Sequence, residues 1–300
     1  MAAHLCIGVF DGVHAGHRAV LAGARERARA EGGEVVALTF EPHPSRVLRP
    51  EAPTPLILGR AQKEERLREA GADRVAHQRF DEEHRSMAAE DYLGWLAATF
   101  PGLRSVHVGE NFRFGAGRGG DPALLARQGA ARGVAVRAAD PVTVAGEPAS
   151  SSRVRAALAA GEIELANRML VRPYEAEGVI TPGRQLGRRL GLATLNLPWA
   201  PELTPAFGVY AAEVMSGSGV AEPAVMNWGV RPTVEDGPVA PLVEAHLLRP
   251  AGPVPGPGDA IRVRWLGRIR EERRFDGLEQ LRRQVDDDRA RARRMLGLGG

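Results

Sequence analysis

Short apolar runs alternate with helix-patterned segments along the first third of the chain, and this alternation constrains the fold more than any other feature. Leu5–Phe10 is a strand-like run that ends in Asp11-Gly12, and Gly16–Glu31 follows with the alanine and arginine content of a helix. Glu34–Phe40 is a second strand, stopped by Pro42 and Pro44. Gln62–Ala70 is helical, Arg74–Phe80 strand-like, Ala89–Thr99 helical and Ser105–Val108 strand-like again. Strands joined through helices pair in parallel and bury both faces of their sheet beneath those helices. The expected fold class is α/β, with a parallel-sheet domain over about residues 1–155. Ligands of such sheets bind beyond the carboxyl ends of the strands, where the loops after Phe10, Phe40 and Val108 converge.

The pattern changes after Ser152. Helices over Arg153–Leu158 and Glu162–Leu170 lead into short strands separated by glycine and proline: Gly178–Ile180, Val209–Val214, Ala224–Asn227, Val243–Leu248 and Ile261–Trp265. Such strands predict a small antiparallel β-barrel, with Gly277–Met295 as a C-terminal helix. This second domain spans residues 156–300, and a chain of 300 residues suits two domains.

The chain is 44% hydrophobic and 26% charged, the balance of a globular protein, and no apolar run approaches the roughly 18 residues of a membrane span. No membrane partner is expected. Its one cysteine, Cys6, excludes an internal disulfide and a cysteine-built zinc site, which points to a reducing, cytoplasmic location. The N-terminus lacks the basic, apolar and small-residue succession of a secretory signal. Net charge is +3 and Lys63 is the only lysine; the arginine bias reads as genomic rather than functional. Arginines cluster toward the C-terminus, but Asp286, Asp287 and Asp288 sit among them, so the stretch reads as a solvated helix face and no nucleic-acid partner is expected. A homo-oligomer is compatible with all of this.

The chemistry concentrates at Gly8-Val9-Phe10-Asp11-Gly12-Val13-His14-Ala15-Gly16-His17, where a strand-ending loop turns into a helix. Glycines let the backbone approach a phosphate, and a helix N-terminus offers free N–H groups and a dipole that favours an anion. His14 and His17, on one side of the first turn, can donate hydrogen bonds to phosphate oxygens. For a bare pair of histidines, a surface residue beside a structural one is the commoner outcome; the glycine frame reverses that judgement. Ser150, Ser151 and Ser152 at a helix N-terminus can bond both backbone amides and phosphates, with Arg155 adding charge, although a helix cap alone would explain the serines. Of Phe112 and Phe114, spacing makes at least one a core residue.

The His-x-Gly-His core of the first loop resembles the nucleotidyltransferase superfamily, and the full ten-residue stretch is similar to that of prokaryotic bifunctional riboflavin kinase/FAD synthetases. Thr39-Phe40-Glu41-Pro42-His43-Pro44 resembles the family's second-strand loop. Val108–Gly115 with Arg118 and Gly119 resembles its flavin- and nucleotide-contacting segment, and Ser150–Arg155 its Ser-Ser-Thr-x-x-Arg motif. The resemblance implies a Rossmann-like nucleotidyltransferase domain that moves the adenylyl group of ATP onto FMN, giving FAD and pyrophosphate, with Mg²⁺ held largely by the substrate phosphates. It implies catalytic roles for His14, His17 and Arg155. Nucleotide contacts would come from Gly8, Phe10, Asp11, Gly12, Gly16, Ser150, Ser151 and Ser152, and flavin contacts from Asn111, Phe112 and Arg118.

From Arg172 onward the chain resembles the riboflavin kinase module, through Arg172-Pro173-Tyr174, Gly191-Leu192-Ala193-Thr194-Leu195-Asn196, Asn227-Trp228-Gly229, Arg231-Pro232-Thr233 and Val243-Glu244-Ala245-His246. This implies ATP contacts from Gly191, Thr194 and Asn196, Mg²⁺ ligation by Thr194 and Asn196, and Glu244 as the base that activates the ribityl hydroxyl of riboflavin. Three departures imply a reduced or altered kinase activity. Ala193 replaces a turn-stiffening proline, Arg184 and Leu186 are unusual in the flap over the nucleotide, and Arg249–Gly256 replaces the loop that closes the flavin pocket. Taken alone, the histidine loop also fits transfer to pantetheine phosphate, nicotinamide mononucleotide or a modified flavin. A flavin-binding protein without turnover is the non-enzymatic alternative.

Overall fold

A computed structural model describes residues 1–183, 194–217, 219–230, 241–250, 252–273, 275 and 277–298. Two compact units are present, Met1–Ser151 and Ser152–Gly300.

The first unit is built on a five-stranded parallel sheet of order β3-β2-β1-β4-β5. Its strands are β1 (Ala3–Ile7), β2 (Glu34–Glu41), β3 (Arg74–Arg79), β4 (Leu103–Gly109) and β5 (Ala135–Ala139). All of β1 is buried, and so is β2 between its first and last residues, which is why both read as unbroken apolar runs. Connections are made through α1 (Ala15–Glu31), α2 (Pro44–Leu48), α3 (Arg60–Glu69), α4 (Glu82–Ser86), α5 (Tyr92–Thr99) and α6 (Pro122–Arg132). On α1, Val20, Leu21, Ala24 and Ala28 form the buried stripe. The chain runs outward from β1 to β3 on one side, then returns to β4 and β5 on the other. The direction therefore reverses between β1 and β4, and the crevice that such a reversal opens lies at the ends of these two strands. The elements α6 and β5 and a small hairpin, β6 (Thr143–Val144) with β7 (Glu147–Pro148), extend the pattern beyond the sequence-based expectation. β5 is a half-exposed edge strand with one β-branched residue, Val136, so its propensity signal is weak.

The second unit begins with α7 (Ser151–Ala160) and α8 (Ile163–Leu170). A six-stranded antiparallel sheet follows, of order β8-β13-β10-β11-β12-β9. It comprises β8 (Tyr174–Val179), β9 (Thr194–Pro198), β10 (Gly208–Met215), β11 (Ala221–Val230), β12 (Pro241–Leu247) and β13 (Ala260–Arg270). Thr181 N donates to Asn196 O at 2.9 Å, joining the chain after β8 to β9 and bringing the two ends of the sheet together as a barrel. Tyr174, Tyr210, Trp228 and Trp265 are fully buried, with Tyr210 and Trp265 ring centroids 4.7 Å apart. These large rings fill the interior.

The final helix, α9 (Leu278–Met295), packs Ala292 against Val209, Ala211, Val225 and Leu248 on the outer face of the sheet. The expectation that its acidic residues form a solvated face fails at Asp288, which is 3% exposed. Its carboxylate accepts from Arg270 Nε at 3.0 Å and Nη2 at 2.7 Å, and from Gln284 Nε2 at 2.7 Å. This paired charge fastens α9 to β13.

Candidate active site

The loop after β1 is folded by its buried side chains. Phe10 and Val13 are 1% and 0% exposed, and sinking both on either side of Gly12 drives them to φ of 54° and 45°, with Gly12 at 86°. Positive φ is rare for a β-branched residue and stores on the order of 1–3 kcal/mol at each such position. The loop is held from outside. The Asp11 carboxylate accepts from Ile57 N at 3.0 Å and Leu58 N at 3.3 Å, and the Asp11 carbonyl accepts from Ser151 Oγ at 2.7 Å. Thr39 Oγ1, at the end of β2, donates to the Val9 carbonyl at 2.9 Å, and Gly8 N donates to Leu38 O at 3.1 Å.

This clamp delivers His14 to the N-cap of α1, extended and without a side-chain capping bond. The amides of the first turn of α1 therefore keep no capping side chain of their own. His14 and His17 stack, ring centroids 3.6 Å apart and planes 24° from parallel, with the Phe10 ring edge-on to His17 at 5.2 Å. Gly16 makes room for this, since a Cβ there would lie 3.2 Å from the His14 ring. Burial, and then the neighbouring His14, hold the His17 pKa well below the usual histidine value. His17 is thus held in its neutral form at physiological pH. Its Nδ1 is buried and takes no hydrogen bond from the protein.

On the other side of the crevice, β4 leads to Glu110 and Asn111, whose amide donates to the Glu110 carboxylate at 3.2 Å. Asn111 and Arg118 are exposed, Phe112 half-buried and Phe114 buried. Phe112 and Phe114 stack at 5.6 Å, and Phe114 stacks on Tyr92 at 4.6 Å. His84, Trp95, Phe80 and Phe40 continue this aromatic cluster toward the end of β2. The first unit therefore has a stacked histidine pair at the head of α1 and a largely buried aromatic cluster beyond β2 and β4.

In the second unit, register brings together residues far apart in sequence. Glu244 on β12 lies opposite Asn227 on β11 and opposite Asn196 on β9, a polar row across three strands. Beside it, Thr194 faces His246, with Thr194 Oγ1 and His246 Nδ1 at 3.0 Å. Asn196 is 5% exposed and lies over Gly183, where a Cβ would collide with its amide. Asn227 Nδ2 donates to Glu272 at 3.4 Å; burial and the charge of Glu244 raise the Glu272 pKa against the lowering effect of Asn227 and Arg270.

A model of the FAD synthetase family matches residues 2–153, and a model of the riboflavin kinase family matches residues 170–296. The chain is 35% identical to a bifunctional riboflavin kinase/FMN adenylyltransferase of Escherichia coli (strain K12), over 98% of this chain and 93% of that one. Proteins of the same description from Pseudomonas fluorescens and Bacillus subtilis (strain 168) are 38% and 32% identical, covering 96% of this chain and 91% and 90% of theirs. The chain belongs to the bifunctional riboflavin kinase/FMN adenylyltransferase family. A crystal structure described as a macrolide-efflux protein from Streptococcus pneumoniae is also similar, with TM-score 0.86 and 26% identity over 97% of this chain and 94% of that one. No described helix here is long and apolar enough to cross a membrane.

Within the FAD synthetase unit, Gly8, Phe10, Asp11, Gly12, His14, Gly16, His17, Ser150 and Ser151 all lie on or beside the β1 loop or at the start of α7. Ser152 and Arg155 follow along α7, past the boundary between the two compact units and ahead of the riboflavin kinase match. The Asp11 carboxylate is engaged with Ile57 and Leu58, and the Phe10 ring is sealed in the core, so both shape the loop from beneath. In the riboflavin kinase unit Asn196 and Glu244 share one row and Thr194 lies in the row beside it, opposite His246; Gly191, Arg184, Leu186, Ala193 and Arg231–Thr233 lie outside the described residues. The Pro/Gly segment at 252–255 lines a separate cavity of about 520 Å³ with Val214, Val220 and Leu247, and none of the polar row borders it. Sequence reasoning gave no site role to Asn227, Glu272 or Lys63, although it quoted Asn227 within a motif. Asn227 and Glu272 gain meaning only through register, whereas Lys63 carried a readable signal as the one lysine of the chain.

Proposed function

We propose that this protein makes FAD in two steps, phosphorylating riboflavin to FMN in the second unit and adenylylating FMN in the first. The observation that carries the adenylyl-transfer reading is the stacked His14–His17 pair at the uncapped head of α1, beside the strand-order reversal. There an oxygen of the FMN phosphate attacks the α-phosphorus of ATP, the bond to the bridging oxygen breaks, and pyrophosphate leaves. No covalent enzyme intermediate is required. The α1 amides, His14 and His17 hydrogen-bond the phosphate oxygens as charge shifts toward the leaving group, with Ser150 and Ser151 assigned to the ATP phosphates. Asn111, Phe112 and Arg118 are assigned to the flavin, the half-buried Phe112 ring resting on the core rings of Tyr92 and Phe114.

In the second unit Glu244 takes the proton of the terminal ribityl hydroxyl as that oxygen attacks the γ-phosphorus of ATP and ADP leaves. The hydroxyl of Thr194 and the amide oxygen of Asn196 are hard donors of the kind Mg²⁺ prefers alongside substrate phosphates, and among the described residues no carboxylate–histidine cage competes for it. When bound, Mg²⁺ supplies Lewis-acid neutralisation of the phosphates. The lone buried thiol, Cys6, fits a cytoplasmic setting.

The test is to incubate the protein with riboflavin and ATP, and separately with FMN and ATP, and identify the products by chromatography. FMN is expected in the first reaction and FAD with pyrophosphate in the second. Absence of FAD from the second, in folded protein supplied with Mg²⁺, removes the adenylyl-transfer reading.

A further inference from the structure

Arginine stands at every basic position of this chain except one, so compositional drift does not account for Lys63. It projects from α3 into the base of the β1 loop and is 7% exposed. Its Nζ donates to Thr39 Oγ1 at 3.3 Å, and Thr39 Oγ1 donates in turn to the carbonyl of Val9 at 2.9 Å. Val9 is the residue before the strained Phe10–Val13 turn. The carboxylates that face the ammonium are Asp11 from the β1 loop and Glu41 from the end of β2; Arg60 and Glu64 face it from its own helix. Desolvation lowers the Lys63 pKa, more than those acidic neighbours raise it. A compact ammonium fits this closed space between two strand ends, and a planar guanidinium with five donors does not find the same fit.

We propose that Lys63 is a positioning residue for adenylyl transfer: its ammonium ties α3 to the ends of β1 and β2 and so sets the height at which the loop presents His14 and His17. This rests on the proposed function of the first unit. The protonated amine is the working form, because it alone balances the charges of Asp11 and Glu41 while donating to Thr39. Adenylyl transfer is therefore lost as pH rises through the lowered Lys63 pKa.

The test compares the full-length protein with its Lys63→Met, Lys63→Arg and Thr39→Val variants, measuring kcat and KM for FMN-to-FAD conversion from neutral to alkaline pH. Riboflavin phosphorylation in the same preparations serves as the control for the other unit. Lys63→Met is expected to lower kcat on the order of 30- to 100-fold, the scale of a small misplacement of reacting groups, with little change in KM. It should also abolish the alkaline fall in rate. Lys63→Arg should move that fall to higher pH, and Thr39→Val should reproduce part of the kcat loss. A Lys63→Met protein with kcat within about twofold of wild type and an unchanged alkaline limb overturns the proposal. Should Lys63→Met fail to fold, Lys63→Arg decides: an alkaline limb coincident with the wild type overturns it equally. Wild-type protein that makes no FAD at any pH removes the proposed function, and this inference with it.

Discussion

His14 and His17 stand 3.6 Å apart in a stack, and two imidazolium rings at that distance repel each other strongly. In the proposed role the pair therefore gives phosphates directed hydrogen bonds with at most one added charge, and the remaining positive field comes from the head of α1. His14 is 6% exposed and forms the N-cap, so it is positioned by backbone rather than by a flexible stem. Replacing His14 with alanine is expected to lower kcat for FAD formation by on the order of 10²- to 10³-fold or more, the effect of removing a preorganised donor. Unfolding should shift by no more than a few degrees, since the stack is worth on the order of 1 kcal/mol. Steady-state kinetics beside thermal denaturation checks both; near-normal turnover would contradict the role given to the ring.

Individual elements are fixed by polar contacts as well as by apolar burial. The Arg270–Asp288 pair holds α9 on β13, and its carboxylate is almost wholly desolvated. Asp288→Asn should destabilise the second unit by about 3 kcal/mol in urea unfolding, because a half-buried guanidinium is left without its counter-charge. Simultaneous Arg270→Met and Asp288→Leu should recover most of that loss, and failure to recover would locate the cost elsewhere than in the unpaired charge. A second polar element joins β1 to β4. His4 Nδ1 lies 2.8 Å from Ser105 Oγ, which lies 3.0 Å from His107 Nε2, and all three residues are buried. Burial first, then His4, Arg27 and Arg137, push the His107 pKa down to about 4. The folded protein thus binds fewer protons there than the unfolded chain between pH 4 and the ordinary histidine value near 6.5. Stability of the first unit should fall as pH drops through that window, by on the order of 3 kcal/mol when complete. Urea titrations at pH 7 and pH 5 check this, and a His107→Gln variant should show a flatter dependence.

On the scale of the whole molecule, two units carry two sets of site residues. Glu244 lies in the second unit, and the role proposed for its carboxylate concerns riboflavin phosphorylation alone. Glu244→Gln should reduce FMN formation from riboflavin by on the order of 10²-fold or more while leaving FMN-to-FAD conversion within about twofold. Product analysis on separate riboflavin and FMN feeds decides it, and a parallel drop in both reactions would rule out independent sites. Much of this was legible beforehand. The apolar runs at Leu5 and Glu34 and the helix from Gly16 announced the parallel sheet, because a strand buried on both faces has to be apolar throughout. β5 and β9 were not legible, since an edge strand and a short strand take their conformation from a partner more than from their own residues. What the sequence determined by itself was the order of elements, the glycine-framed loop and the chemistry of the residues on it, all of them consequences of local preference and spacing. Tertiary structure alone decided that Asn227, Glu244 and Asn196 form one row, that Asp288 is paired in the interior and that Lys63 reaches Thr39. Each of those depends on register or on contact between distant segments, which a linear pattern does not encode until the core has closed around it.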